Sequence, residues 1–228
     1  MKKASHHAMG HLLYQALADE GIFLDRELFV LGNLLPDYMP ELILFPHFTS
    51  RCQKEIALFS DVLAAQSLGG ADEIPAEYAL RLGILCHYIT DYYCFAHSRA
   101  FGKNLRKHGA YERGLNEYFR AHYSAGEYTL SGRAPARCAS GRDVARNVAR
   151  LRHAYAAAPR AYETDLGYAF TACLEAIRAL VALSAAREQT REARFRFKPF
   201  AAERYAYGSG VCRRRIVPRS AWCMDCPA

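Results

Sequence analysis

Apolar residues recur at helical spacing along most of this chain, and no stretch shows the strict alternation of a half-buried strand. From Ser5, a candidate N-cap, to about Glu20, the positions Ala8, Leu12, Leu13, Ala16 and Leu17 form one stripe. A short helix through Phe29 and Leu31 leads into Gly32-Asn33-Leu34-Leu35-Pro36-Asp37, where Pro36 disfavours helical geometry at Leu35 and so fixes the approach to Asp37. Thr49 or Ser50 starts a helix to about Gln66, with Ile56, Phe59, Val62 and Leu63 inward, and Gly69-Gly70 ends it. Pro75 opens a central helix finishing near Phe95, rich in Leu80, Leu82, Ile84, Leu85 and Ile89. Another follows Gly109 as far as Tyr123, carrying Leu115, Tyr118 and Phe119. After a loop-like Glu127 to Ser140, Arg142 to Ala158 and Tyr162 to Arg187 read as two helices separated by Pro159; the second has a face of Leu166, Phe170, Leu174, Ile177 and Val181. The pattern predicts an all-α, multi-helix bundle.

A chain of 228 residues with 51% hydrophobic content suits one domain with a sizeable core. The expected division is a helical domain over 1–190 and a basic, cysteine-containing tail over 191–228. The formal charge of +7 can attract phosphate-bearing partners such as anionic lipid or nucleic acid, but Arg187 to Arg219 holds much of the excess. The eight cysteines are scattered in mostly apolar surroundings with no compact disulfide framework, which predicts free thiols in a reducing compartment. Met1-Lys2-Lys3 is basic, yet His6, His7 and His11 interrupt the region where a signal peptide would be apolar, and no 18-residue apolar span is read elsewhere. A cytoplasmic protein without a transmembrane segment is the expectation. The apolar run Met39 to Phe48 is expected to pack inward, with contact to a lipid surface as the alternative.

The chemistry is concentrated in Leu82 to Glu112. His87 and Asp91 are four apart, and His108 and Glu112 repeat that spacing, so on helices each pair projects from one face and can grip one ion. The first pair lies in apolar sequence, where an unpartnered imidazole or carboxylate would be costly. Either pair alone would pass for a structural hydrogen bond or a wet surface; two pairs with His97 beside them point to metal. Asp37 and His47, in proline-flanked loops, are two further candidates, as loops commonly present functional groups.

Taken in order, His6, Asp37, His47, His87, Asp91, His97, His108 and Glu112 resemble the ligand series of the zinc-dependent phospholipase C family, whose all-helical fold is shared with P1-type nucleases. The resemblance runs from about Ser5 to Tyr123 and is closest in Gly32 to Asp37, Leu82 to Asp91 and His108 to Glu112. It makes His6 the best candidate, with its neighbours His7 and His11 as substitutes, and favours zinc over the manganese or iron that these ligand types also admit. It implies two or three zinc ions: one held by Asp37, His47, His87 and Asp91, a second by His97, His108 and Glu112, and a third by His6 with Asp91 bridging. The family's secreted members complete the outer position with the amino group of a processed N-terminal residue; in this chain Met1 precedes His6 by five residues and no processing is expected.

The resemblance implies hydrolysis of a phospholipid to diacylglycerol and a phosphorylated headgroup, with Asp37 doubling as catalytic base. Tyr88, Tyr92 and Tyr93 can offer a face to a choline cation, although core packing is the expected role for most of them. A nuclease or other phosphodiesterase on the same scaffold, and a non-catalytic metal-binding helical protein, are the alternatives. Near the C-terminus, Cys223-Met224-Asp225-Cys226 with Cys212 can form half a zinc site or a redox pair, but a segment without apolar periodicity is expected to be irregular.

Overall fold

The computed structural model describes residues 1–38, 49–68, 74–102, 104–123 and 137–194, with side chains up to residue 187. His47, the apolar run at 39–48 and the cysteines of the tail lie outside the described residues. The fold is all-α, with no strand among the described residues. Its helices are α1 (Lys3–Asp19), α2 (Arg26–Leu34), α3 (Thr49–Ala65), α4 (Ala76–Tyr92), α5 (Leu105–Tyr123), α6 (Gly141–Ala157) and α7 (Tyr162–Arg194). Short 3₁₀ turns at Leu35–Asp37, Phe95–His97 and Arg99–Phe101 interrupt them. The chain separates into two compact units, Met1–Glu188 and Gln189–Ala228; the described part of the second is the last turns of α7, to Arg194.

Helix α4 is the axis of the first unit, and every residue from Tyr78 to Tyr92 is buried. A helix apolar on all sides belongs at the centre of a bundle, and α1, α2 and α3 all pack on this one. The α2–α4 crossing is the tightest. A Cβ on Gly83 would stand 2.1 Å from the Phe29 carbonyl oxygen, and one on Gly32 would stand 2.2 Å from that of Leu80, so the two backbones touch through glycine. From the other side, α7 reaches α4 through the Cys173 thiol, which donates to the Cys86 carbonyl at 3.6 Å, and through Ser184, 2.9 Å from the Tyr78 hydroxyl.

Several sequence expectations shift. Ser5 does not cap α1: the helix starts at Lys3, and the buried Ser5 hydroxyl donates to Asn116 on α5. The buried face of α1 is Ser5, His6, Met9, Gly10, Leu13 and Leu17, rotated from the apolar stripe so that small and polar groups face inward. On α3, Val62 is exposed, and Cys52 and Ser60 are buried beside Ile56 and Leu63. Helix α5 begins at Leu105, ahead of Gly109, which puts His108 and Glu112 on the same helix. Residues 162–187 of α7 include a window of mean hydropathy 1.6, long and apolar enough to cross a membrane, contrary to the sequence reading; half of it is buried within the protein. Leu166, Phe170, Cys173, Ile177 and Leu180 are among the buried positions, as expected of a core helix. Tyr88, Tyr92 and Tyr93 are buried as well, so their rings serve packing.

Candidate metal centre

Two elements bring the first group together: α1 supplies His6, and α4 supplies His87 and Asp91 one turn apart. All three are buried, and one ligand atom from each lies within 4.8 Å of the others. The His87 Nδ1–H donates to the Asn33 carbonyl at 2.9 Å, which leaves Nε2 facing inward, 3.5 Å from Asp91 Oδ2. Such an outer hydrogen bond fixes the tautomer of a ligating histidine. The glycine crossing of α2 and α4 is what lets the Asn33 backbone come this close. His6 stacks on His87 with ring centroids 3.9 Å apart, its Nε2 is 3.2 Å from Asp91 Oδ1, and neither of its nitrogens makes an aligned hydrogen bond. Burial holds the metal-free His6 down to about 4 despite Asp91 beside it, so the ring is neutral at physiological pH and keeps a lone pair to offer.

The second group is His97, His108 and Glu112, again within 4.8 Å. Their chain segments meet because α4 stops at Tyr92 and the 3₁₀ turn Phe95–His97 folds back over α5. Glu112 Oε1 is 3.2 Å from His97 Nε2 and 3.1 Å from His108 Nε2. Burial opposes ionisation of Glu112, but hydrogen bonds from His108 and His97 hold its carboxyl well below the usual range. The bond to Glu112 raises His108 in turn. Thr49 steadies this turn by donating to the His97 carbonyl at 3.0 Å.

Asp91 faces both groups, with Oδ1 3.6 Å from His97 Nε2. The Met1 amino group stands between them too, bonded to Asp91 Oδ1, 3.0 Å from His97 Nε2 and 3.3 Å from Glu112 Oε1. Burial acts against its charge, yet Asp91 leads the carboxylates that push it up to about 12. The amino group reaching the centre is thus that of Met1, five residues before His6.

Among the described residues, Asp37 belongs to neither group. It ends the Leu35–Asp37 turn, and its Oδ2 is buried without a hydrogen-bond partner. His6 was expected at an outer position, whereas the geometry sets it in one group with His87 and Asp91. His7 and His11 sit on the outer face of α1, 3.3 Å apart at Nε2, with Arg26 donating to His11. Sequence reasoning missed Asn33, Asp165 and the Met1 amino group. Asn33 acts through its carbonyl, which no side-chain motif can reveal, and Asp165 looks like an ordinary acidic residue in the first turn of a helix.

The donors fit zinc. Imidazole and carboxylate are its nitrogen and oxygen ligands, the buried His6 ring has both nitrogens without an aligned hydrogen bond, and Oδ2 of Asp37 is buried without a hydrogen-bond partner. A family model described as zinc dependent phospholipase C matches residues 4–162. No curated protein and no solved structure matches this chain.

Proposed function

This chain belongs to the zinc-dependent phospholipase C family, and from that membership we propose that it is a phosphodiester hydrolase acting on a phospholipid, cleaved to diacylglycerol and a phosphorylated headgroup. The observation that carries the reading is Asp91, a buried carboxylate that meets His6 and His87 on one side and His97, of the His97, His108 and Glu112 group, on the other. His6, His87 and Asp91, joined by Asp37 and His47, would hold zinc on one side; His97, His108 and Glu112 would hold it on the other. Two or three ions per chain follow from this division. Zinc bound there supplies positive charge for the phosphate oxygens and lowers the pKa of water.

The protein's own groups have separate tasks. The Asn33 carbonyl aims His87, and the buried first group excludes bulk water, so its charges act at low dielectric. Asp37 is the base: its unpartnered Oδ2 takes a proton as water adds to phosphorus. Substrate approaches from the His108 and Glu112 side, because these ligands keep 30% and 15% of their surface while the first group is closed. The five described cysteines are free thiols, which supports placing the enzyme in a reducing, cytoplasmic compartment.

The test offers zinc-loaded protein a short-chain phosphatidylcholine, a phosphatidylinositol, single-stranded DNA and a chromogenic phosphodiester. Diacylglycerol release is expected. Degraded DNA with every lipid intact would favour the nuclease branch, and a metal-loaded protein inert on all four substrates would be a structural metal binder.

A further inference from the structure

The strongest unassigned feature is a buried carboxylate on α7, beyond the matched residues. Asp165 is only 1% exposed, and each of its oxygens is used. Oδ2 accepts the Phe95 N–H at 2.8 Å and the Tyr111 hydroxyl at 3.0 Å; Oδ1 accepts the Tyr155 hydroxyl at 2.7 Å. The donors come from three elements. Phe95 opens the 3₁₀ turn that ends at His97, Tyr111 precedes Glu112 on α5, and Tyr155 belongs to α6.

The Phe95–His97 turn has no side-chain cap of its own, since Cys94 stands at its N-cap position. A part-buried N–H left unpaired there would be costly, and the carboxylate that takes it arrives from a helix 70 residues away. The same oxygen takes the hydroxyl next to Glu112. One group therefore ties the segment bearing His97 to the helix bearing His108 and Glu112, while touching none of the three.

We propose that Asp165 is a positioning residue that sets the spacing of His97 against His108 and Glu112, and so sets how tightly the second group holds a divalent cation. This rests on the metal-centre reading above. The Asn substitution can keep the geometry: its oxygen can face the Phe95 N–H, which can only donate, and its amide can donate to the Tyr155 hydroxyl, which can also accept. Alanine can do neither.

The experiment is a zinc titration of the full chain against a chromogenic chelator, comparing wild type, Asp165→Asn, Asp165→Ala, Tyr111→Phe and, as reference, His108→Ala. Circular dichroism of each metal-free protein shows whether it folds. Losing an outer hydrogen bond to a metal site lowers affinity by about 10- to 100-fold. Asp165→Ala should show that loss in the equivalent that His108→Ala removes, and leave the other intact. Asp165→Asn should restore it to within a few-fold, and Tyr111→Phe should weaken it by less than alanine does. Should Asp165→Ala fail to fold, the Asn and Phe variants decide. An affinity equal to wild type in Asp165→Ala, or in Tyr111→Phe should the alanine variant not fold, or a loss spread evenly over all equivalents, would overturn the role of Asp165. A wild type that binds no zinc would sink the metal centre itself, a result distinct from either.

Discussion

At the scale of single residues, burial separates the candidate ligands from their look-alikes. His6 and His7 are neighbours, yet the first is sealed against His87 and the second faces outward beside His11. Asp91 is the residue on which most converges, because it contacts His6 and His87 on one side and His97 on the other. Asp91→Asn should therefore lower the zinc content by more than one equivalent, while His108→Ala removes only one. Elemental analysis of the dialysed proteins tests this, and equal losses would count against a shared carboxylate. Asp37 stands apart from both groups, so Asp37→Asn should cut turnover by at least 100-fold, the lower end of what a positioned base supplies, while most of the zinc remains. Zinc loss in step with activity would assign the effect to its part in holding metal and not to its part as a base.

Among elements, the α2–α4 crossing decides whether the first group forms. The glycine contact allows the Asn33 carbonyl to reach His87, so packing and chemistry depend on the same two residues. Gly83→Ala would force a methyl against the Phe29 backbone, where little can yield. Overpacking of this kind costs about 1 to 3 kcal/mol, measurable by urea unfolding, and should weaken zinc binding as well. A neutral effect would mean that the helices slide apart freely. By contrast, the pair of Glu20 at the end of α1 and Arg178 on α7, with Nε to Oε2 at 2.7 Å, is partly exposed and should contribute about 0.2 to 1 kcal/mol. The hydrogen bond from Arg178 holds the Glu20 carboxyl below its ordinary value of 4.5. A depressed folded pKa means that this contribution is present above that value and fades as acid brings the pH through the folded one. Arg178→Ala should lower stability at pH 7 and have no effect at pH 2; an equal loss at both would assign the effect to packing.

For the molecule as a whole, the centre gathers His6, His87, Asp91, His97, Glu112 and the Met1 amino group in a small, mostly buried volume. Carboxylates there lean on imidazoles and one amino group for compensation, which a divalent cation supplies more strongly. Zinc binding is thus coupled to folding, and saturation at 100 times Kd would add about 2.7 kcal/mol. Thermal unfolding with and without chelator should differ by several degrees, and identical curves would place the metal away from the folded core.

The sequence by itself determined the helical class, the approximate span of each helix, and the two candidate ligand pairs, because amphipathic periodicity and the i, i+4 spacing of His87 with Asp91 and of His108 with Glu112 are local properties. His97, six residues beyond Asp91, cannot share that helix face, and the turn at Phe95–His97 is what brings it back. Tertiary structure alone decided which oxygen or nitrogen each ligand meets. The grouping of His6 with His87, the Asn33 carbonyl behind His87, the Met1 amino group between the two groups, and Asp165 beneath the His97 turn all join residues between 54 and 96 positions apart through three-dimensional packing. Backbone acceptors and long-range caps leave no periodic trace, for they depend on how closely two helices approach, and here that distance is set by two glycines.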